Sequence, residues 1–244
     1  DAQLNVTGNL KFDMTIPPGQ VAQGERIKAL LTDTRANKLV VMLASSREGE
    51  EALWLDAVRE YEQTYSQEAA SIQWWVVPRH PQRFDEVAQL LQNSGKNVVR
   101  KSTWSDMPQF QQREILQQAD MVLGDTMGEM FTYYAIADVV LMGGTWLPYG
   151  GQNFLEPMLL GKPVIVGESI YNFEQIGLDA LQKRVLWQAV NLGVALEKLT
   201  QLGQVIGWDV ADQTVASVRS KVAFVQQQCG VVGRLLSILL SVEK

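Results

Sequence analysis

Between residues 143 and 157 the chain reads GGTWLPYGGQNFLEP, with four glycines and two prolines set between the apolar runs DVVLM and MLLGKPVIV. Glycine costs folding entropy wherever it stands, so this density asks for a reason. A strand, a glycine loop and a helix starting near Asn153 would together present free N–H groups and the positive end of a helix to an anion. In that arrangement Gly150 and Gly151 leave bare backbone beside a phosphate, and Asn153 caps the helix or donates to the ligand. Glu156, about one turn further on, would accept from both hydroxyls of a neighbouring ribose. The alternative is plain: the glycines only turn the chain, and Glu156 only favours the helix N-terminus.

Three other loops carry residues of the same kind. In SSREGEE, the hydroxyls of Ser45 and Ser46 and the planar cation of Arg47 form a reasonable phosphate clamp. Glu48, Glu50 and Glu51 are better explained as complementing a helix dipole than as acid–base groups. PRHPQRF contains His80, the only histidine of the chain. It has no second histidine or cysteine pair to build a zinc site, and no triad to join. Arg79 and Arg83 on either side of it can dock a base or a phosphate. GDTMGEM places Gly124, Asp125, Thr126 and Met127 after a strand, then Gly128 and Glu129 at a helix entrance. Its structural alternative is an N-cap by Thr126 with Glu129 in the first turn. Four such loops on one edge of a sheet point to a nucleotide or nucleotide-sugar site.

The elements that must hold these loops alternate along the chain. KLVVMLAS, IQWWVVP, NVVRKST, DMVLGDT, DVVLMGG and KPVIVGE read as strands. Between them, REGEEALWLDAVREYEQTYS, RFDEVAQLLQNSG, GEMFTYYAIA and NFLEPMLLG carry helical spacing. Apolar runs that are continuous rather than alternating imply a sheet covered on both faces. The expected fold is therefore α/β, a doubly wound, mostly parallel, Rossmann-like sheet with its ligand beyond the carboxyl ends of the strands. Residues 1–35 lack this alternation and are expected to be a linker and an edge strand. Residues 36–208 form the Rossmann-like domain, and 209–244 read as one or two closing helices.

Bulk properties narrow the function. At 46% hydrophobic and 20% charged, this is the composition of a soluble globular chain. Its net charge of -6 and lack of a basic block argue against nucleic-acid binding. Cys229 stands alone, which rules out an internal disulfide and a cysteine-based zinc site. No apolar run approaches the roughly 18 residues of a membrane span. The opening DAQLNVTGNLKFDM reads as the interior of a longer polypeptide.

Taken in order, TGNLKFD, ASSREGEE, VPRHPQRF, GDTMGEM, MGGTWLPYGGQNFLEP and GKPVIVGESIYNF resemble the successive motifs of the 3-deoxy-D-manno-octulosonic acid (Kdo) transferases. The resemblance implies one half of a GT-B glycosyltransferase, the C-terminal domain that binds the CMP-Kdo donor. It further implies inverting transfer of Kdo to a lipid A precursor in lipopolysaccharide synthesis, without a metal or other cofactor. The catalytic base would be a carboxylate of an N-terminal domain, which would also meet the acceptor at the cytoplasmic face of the bacterial inner membrane. No residue of this chain would then be catalytic. On the matching positions, Glu156 would hold the ribose, and Gly150, Gly151 and Asn153 the phosphate side. Ser46, Arg47 and the loop of Gly124, Met127, Gly128 and Glu129 would help form the CMP pocket. Arg79 and His80 would lie near the cytosine, and Lys11 near the interdomain cleft. Arg47 and Gln152 depart from the family, which commonly has histidine at both places. Two other readings compete: a GT-B enzyme using a UDP-sugar, and a non-catalytic nucleotide-binding domain of the same fold.

Overall fold

A computed structural model of the chain describes residues 14–32, 38–206 and 214–228. Lys11 and Cys229 lie outside the described residues. The longest apolar runs make the two central strands, β1 (Leu39–Ser46) and β2 (Ile72–Pro78), buried almost throughout. Shorter strands follow: β3 (Val98–Arg100), β4 (Met121–Leu123), β5 (Val139–Met142), β6 (Val164–Val166) and β7 (Trp187–Gln188). They form one sheet in the order β3-β4-β2-β1-β5-β6-β7, and every pairing is parallel.

Parallel strands need crossovers, which the helices supply: α1 (Gln20–Thr32), α2 (Glu50–Thr64), α3 (Ser66–Ala69), α4 (Phe84–Gln92), α5 (Lys101–Trp104), α6 (Gln109–Gln118), α7 (Met130–Ile136), α8 (Leu155–Leu159), α9 (Glu174–Gln182), α10 (Leu192–Ile206) and α11 (Thr214–Gln228). Successive strand residues point to opposite faces, so the apolar runs feed two cores. Val40, Met42, Trp75, Val77, Val140 and Val166 pack with α1, α7, α8 and α11 on one face. Val41, Leu43, Trp74, Val76, Leu141 and Ile165 pack with α2, α4 and α10 on the other. This two-sided burial is why the strands read as continuous rather than alternating apolar sequence.

Three expectations need adjustment. Gln20–Thr32 is a helix rather than an edge strand. Ile27, Leu30 and Leu31 supply a buried stripe at helical spacing. Gly24 lets α1 close onto α7, for a β-carbon there would stand 2.4 Å from the carbonyl oxygen of Thr132. Of NVVRKST only Val98–Arg100 is strand, and Lys101 already opens α5. Strand β7 is only two residues long, Trp187 and Gln188, and the apolar Val185 and Leu186 precede it rather than extend it, which is why pattern alone passes over it. One closing helix, α11, is described and buries Phe224 and Val225. The remainder of that expectation, residues 209–213 and 229–244, lies outside the described residues.

Candidate functional site

Strand order reverses beside β1: β2 leads away on one side, whereas β5 joins on the other. The loops leaving β1 and β5 therefore diverge, and a crevice opens at the carboxyl ends. A cavity of about 190 Å³ lies there. Ser45 of β1 lines it, with Val77, Pro78 and Arg79 from the end of β2. Thr126, Met127 and Gly128 come from the β4–α7 connection, and Met130 and Tyr134 from α7. Gln152, Asn153 and Glu156 complete the wall from the β5–α8 loop and α8.

Glu156 is the charged group most firmly aimed. Its Oε1 accepts from Nδ2 of Asn153 at 3.1 Å, and the hydroxyl of Tyr134 donates to the same carboxylate. Asn153 is itself fixed, since its Oδ1 accepts from the backbone N–H of Leu155 at 3.2 Å. Tyr134 is only 1% exposed. Burial, and then the neighbouring Glu156 charge, hold its phenol well above the usual range, so it remains a donor. Burial likewise raises Glu156 above ordinary carboxylates, against the bonds from Asn153 and Tyr134 and the charge of Arg79. A carboxylate short of water but facing a cavity gains from new donors such as hydroxyls. Arg79 stands exposed on the cavity wall, its Nε donating to Oε1 of Gln152 at 3.2 Å.

Buried ion pairs and carboxylates fasten the loops behind this wall. Glu51 accepts from Ser46 Oγ at 2.6 Å and takes Arg83 in a two-pronged pair at 2.7 and 3.0 Å. Glu50 accepts only main-chain N–H groups, those of Arg47, Gly144 and Trp146. In the β4–α7 loop, Asp125 accepts from Arg100 Nε at 2.7 Å and from both the N–H and the hydroxyl of Ser102. The carboxylate of Glu129 meets Lys101 Nζ at 2.5 Å and the hydroxyl of Thr126. Burial works to raise Glu129, but those bonds and the Lys101 charge bring it below the ordinary carboxylate range.

This scaffold decides which sequence-predicted residues meet. Arg79, Met127, Gly128, Asn153 and Glu156 share the cavity wall. Ser46 does not, because it is fully buried with its hydroxyl on Glu51. Gly124 is packed rather than open: a β-carbon there would press on the ring of Tyr133 and on Val77. Glu129 is engaged by Lys101, and it occupies the N-cap position of α7 that the sequence gives to Thr126. Gly150 and Gly151 also lie off the cavity. Both have positive φ, 83° and 87°, and their N–H groups are already donated, to Ser169 Oγ at 2.9 Å and to the carbonyl of Gly144 at 2.7 Å. Gly150 lets Tyr171 and Asn172 lie against the loop, and Gly151 lies against Thr145 and the main chain of Ser169 and Ile170. Arg47 stacks over the ring of Tyr149 at 4.6 Å. His80 is exposed on the neighbouring loop. Slight desolvation, then the charges of Arg47, Arg79 and Arg83, hold its imidazole below the usual range and hence neutral at pH 7.

Sequence reasoning passed over Tyr134, Met130 and Lys101. Tyr134 lies in the apolar helix GEMFTYYAIA, where periodicity marks it as core. The available signal was chemical, since a buried phenol needs a hydrogen-bond partner. Among the described residues no three His, Cys, Asp or Glu side chains gather as a metal site would require.

No protein-family profile matches the chain. It is 38% identical over 197 residues to the 3-deoxy-D-manno-octulosonic acid transferase of Bordetella pertussis, covering 81% of this chain and 43% of that protein. Against the enzyme of the same name from Haemophilus influenzae, identity is 30% over 199 residues, covering 82% and 43%. The fold matches the crystal structure of the C-terminal CMP-Kdo binding domain of WaaA from Acinetobacter baumannii. There the TM-score is 0.67 at 26% identity, covering 85% of this chain and 98% of that one. This chain belongs to the Kdo transferase family. It spans less than half the length of the two Kdo transferases above, yet it matches the Acinetobacter domain nearly end to end. Its parallel sheet flanked by helices is the architecture of one GT-B half. Among the described residues, no helix of this Kdo transferase chain is long and apolar enough to cross a membrane.

Proposed function

We propose that this chain binds CMP-Kdo for a Kdo transferase, with the nucleotide in the cavity at the β1–β5 crevice. The observation that carries the reading is Glu156, a carboxylate oriented by Asn153 and Tyr134 toward that cavity, in a domain that matches a CMP-Kdo binding domain. Its two oxygens would accept from the ribose hydroxyls. Arg79, which already faces Glu156 and Gln152, would turn its remaining donors to the phosphate. Gly128, with φ 76° and open space where a side chain would stand, leaves main chain free to approach the ligand. Because Gly150 and Gly151 are engaged elsewhere, the phosphate would meet Arg79 and the Gly128 loop rather than the glycine pair.

In the transfer step a hydroxyl of the lipid A precursor attacks the anomeric carbon of Kdo as the bond to the CMP phosphate oxygen breaks, inverting that centre. A carboxylate of a domain outside this chain takes the hydroxyl proton. The domain described here holds the leaving CMP, whose growing negative charge the Arg79 guanidinium offsets. The acceptor and the inner membrane surface would be met by that other domain. Calorimetric titration with CMP, UMP and GMP tests the reading. CMP-selective binding that Glu156→Ala abolishes is the expected result. Equal binding of UMP would replace it with a UDP-sugar enzyme, and no nucleotide binding by the full-length protein would remove it.

A further inference from the structure

Glu50 is fully buried, and among the described residues it has no cationic partner within salt-bridge distance. Its carboxylate is spent on main chain alone. Oε2 accepts from the N–H of Arg47 at 2.8 Å and of Gly144 at 2.7 Å, and Oε1 from the N–H of Trp146 at 3.0 Å. Arg47 belongs to the loop after β1, whereas Gly144 and Trp146 belong to the loop after β5, so one side chain joins the two loops that diverge at the crevice. Other contacts follow the same seam. The Tyr149 hydroxyl donates to the carbonyl of Glu48 at 2.9 Å, and Arg47 stacks on Tyr149. Gly144 in turn accepts from Gly151 through its carbonyl, and Gly143 from Gln152, which sets the segment leading to Asn153 and Glu156.

We propose that Glu50 is a positioning residue: it never reaches the ligand, but its three main-chain bonds set the β5–α8 loop in the shape that places Gln152, Asn153 and Glu156 on the cavity wall. The consequence for nucleotide affinity rests on the donor-site reading above, whereas the setting of the loop does not. An amide in place of the carboxylate keeps one accepting oxygen and turns an NH2 group toward an N–H it cannot bond. Glu51 supplies the control, being equally buried in the same helical turn but bonded to Ser46 and Arg83 instead.

The test is residue-resolved amide exchange without nucleotide, on the wild-type chain, Glu50→Gln and Glu51→Gln, followed by CMP titration of each well below its unfolding temperature. In the wild type, Gly144 and Trp146 should be protected. In Glu50→Gln, exchange should accelerate in residues 144–153, and CMP affinity of the folded protein should fall about tenfold, the scale of one buried donor left unpaired. Glu51→Gln should lower the unfolding temperature without either change. Unprotected Gly144 and Trp146 in the wild type would overturn the proposal even if Glu50→Gln does not fold. Wild-type exchange of the loop in Glu50→Gln would overturn it too, as would faster exchange with unchanged CMP affinity. Should the wild-type chain bind no CMP, the titrations are repeated on the full-length protein, whose failure to bind removes the donor-site reading, and the exchange rates still decide whether Glu50 sets the loop.

Discussion

Replacing Glu156 with glutamine should separate binding from stability in opposite directions. The amide can fill the same place: its oxygen accepts from Asn153 Nδ2, and its nitrogen donates to the Tyr134 hydroxyl oxygen. What it loses is charge, and with it one of two oxygens able to accept from a ribose. A hydrogen bond to a charged group contributes about 1.5–3 kcal/mol, so CMP should bind about thirtyfold more weakly. The free protein should gain stability instead. Burial raises the folded-state pKa of Glu156 above its ordinary value, so the folded chain holds that proton more tightly than the unfolded chain. The contribution of this group to stability therefore grows as pH falls through the raised pKa and shrinks as pH rises. Thermal unfolding followed over a pH series, from well above the ordinary carboxylate range down into it, should show Glu156→Gln more stable at the high end and the two proteins closer at the low end. A variant that is less stable at the higher pH, with a gap that does not close in acid, would refute the burdened-carboxylate argument. Unchanged CMP affinity would refute the ribose contact.

Other perturbations probe the rest of the construction. Tyr134→Phe removes a donor that lowers the Glu156 pKa, so that pKa should climb further, and CMP titrations across pH should show binding lost at a higher pH than in the wild type. Gly24→Ala puts a β-carbon 2.4 Å from the Thr132 carbonyl oxygen and 2.5 Å from the Ala135 β-carbon. Urea unfolding should report about 1–3 kcal/mol of lost stability as α1 is forced off α7. Glu129→Ala leaves the fully buried Lys101 without its carboxylate and should cost about 3 kcal/mol by the same measurement. Because Glu129 titrates below its ordinary value, that stabilisation is complete above the ordinary carboxylate range and is lost as pH falls through the lowered pKa. The variant should therefore lack this part of the wild-type sensitivity to acid.

Six of the seven strands were legible because a parallel sheet covered on both faces must be written in unbroken apolar sequence. IQWWVVP coincides with β2 residue for residue. The helix α1 was not legible: its stripe is narrow, Gly24 interrupts it, and what stabilises it is contact with α7, more than a hundred positions away in sequence. At the site, local chemistry brought Asn153, Glu156, Arg79 and Gly128 to the cavity, since each loop carries its own signature. The partners of Ser46, Glu50 and Gly150 could not be read in the same way. Glu50 and Gly150 are bonded to other loops, which only the closed sheet brings within reach, and Ser46 is taken by Glu51, five residues on. The glycines of the opening stretch show the point most directly, because the fold presses Gly150 against Tyr171 and Gly151 against Thr145, and engages the N–H groups of both within the protein.

The strand order also has a consequence for the sequence of assembly. β1 finds β2 across a single helical crossover, with Leu39 beside Ile72, but it must wait for Val139 of β5 before its other edge is closed. Contacts that close long loops form late. The β1–β5 seam is thus the longer-range closure of the central strand, and Ser45 on one side of it and Gln152, Asn153 and Glu156 on the other line the same cavity. On the proposed donor-site reading, a ligand seated there would touch both sides of that joint and so slow its reopening.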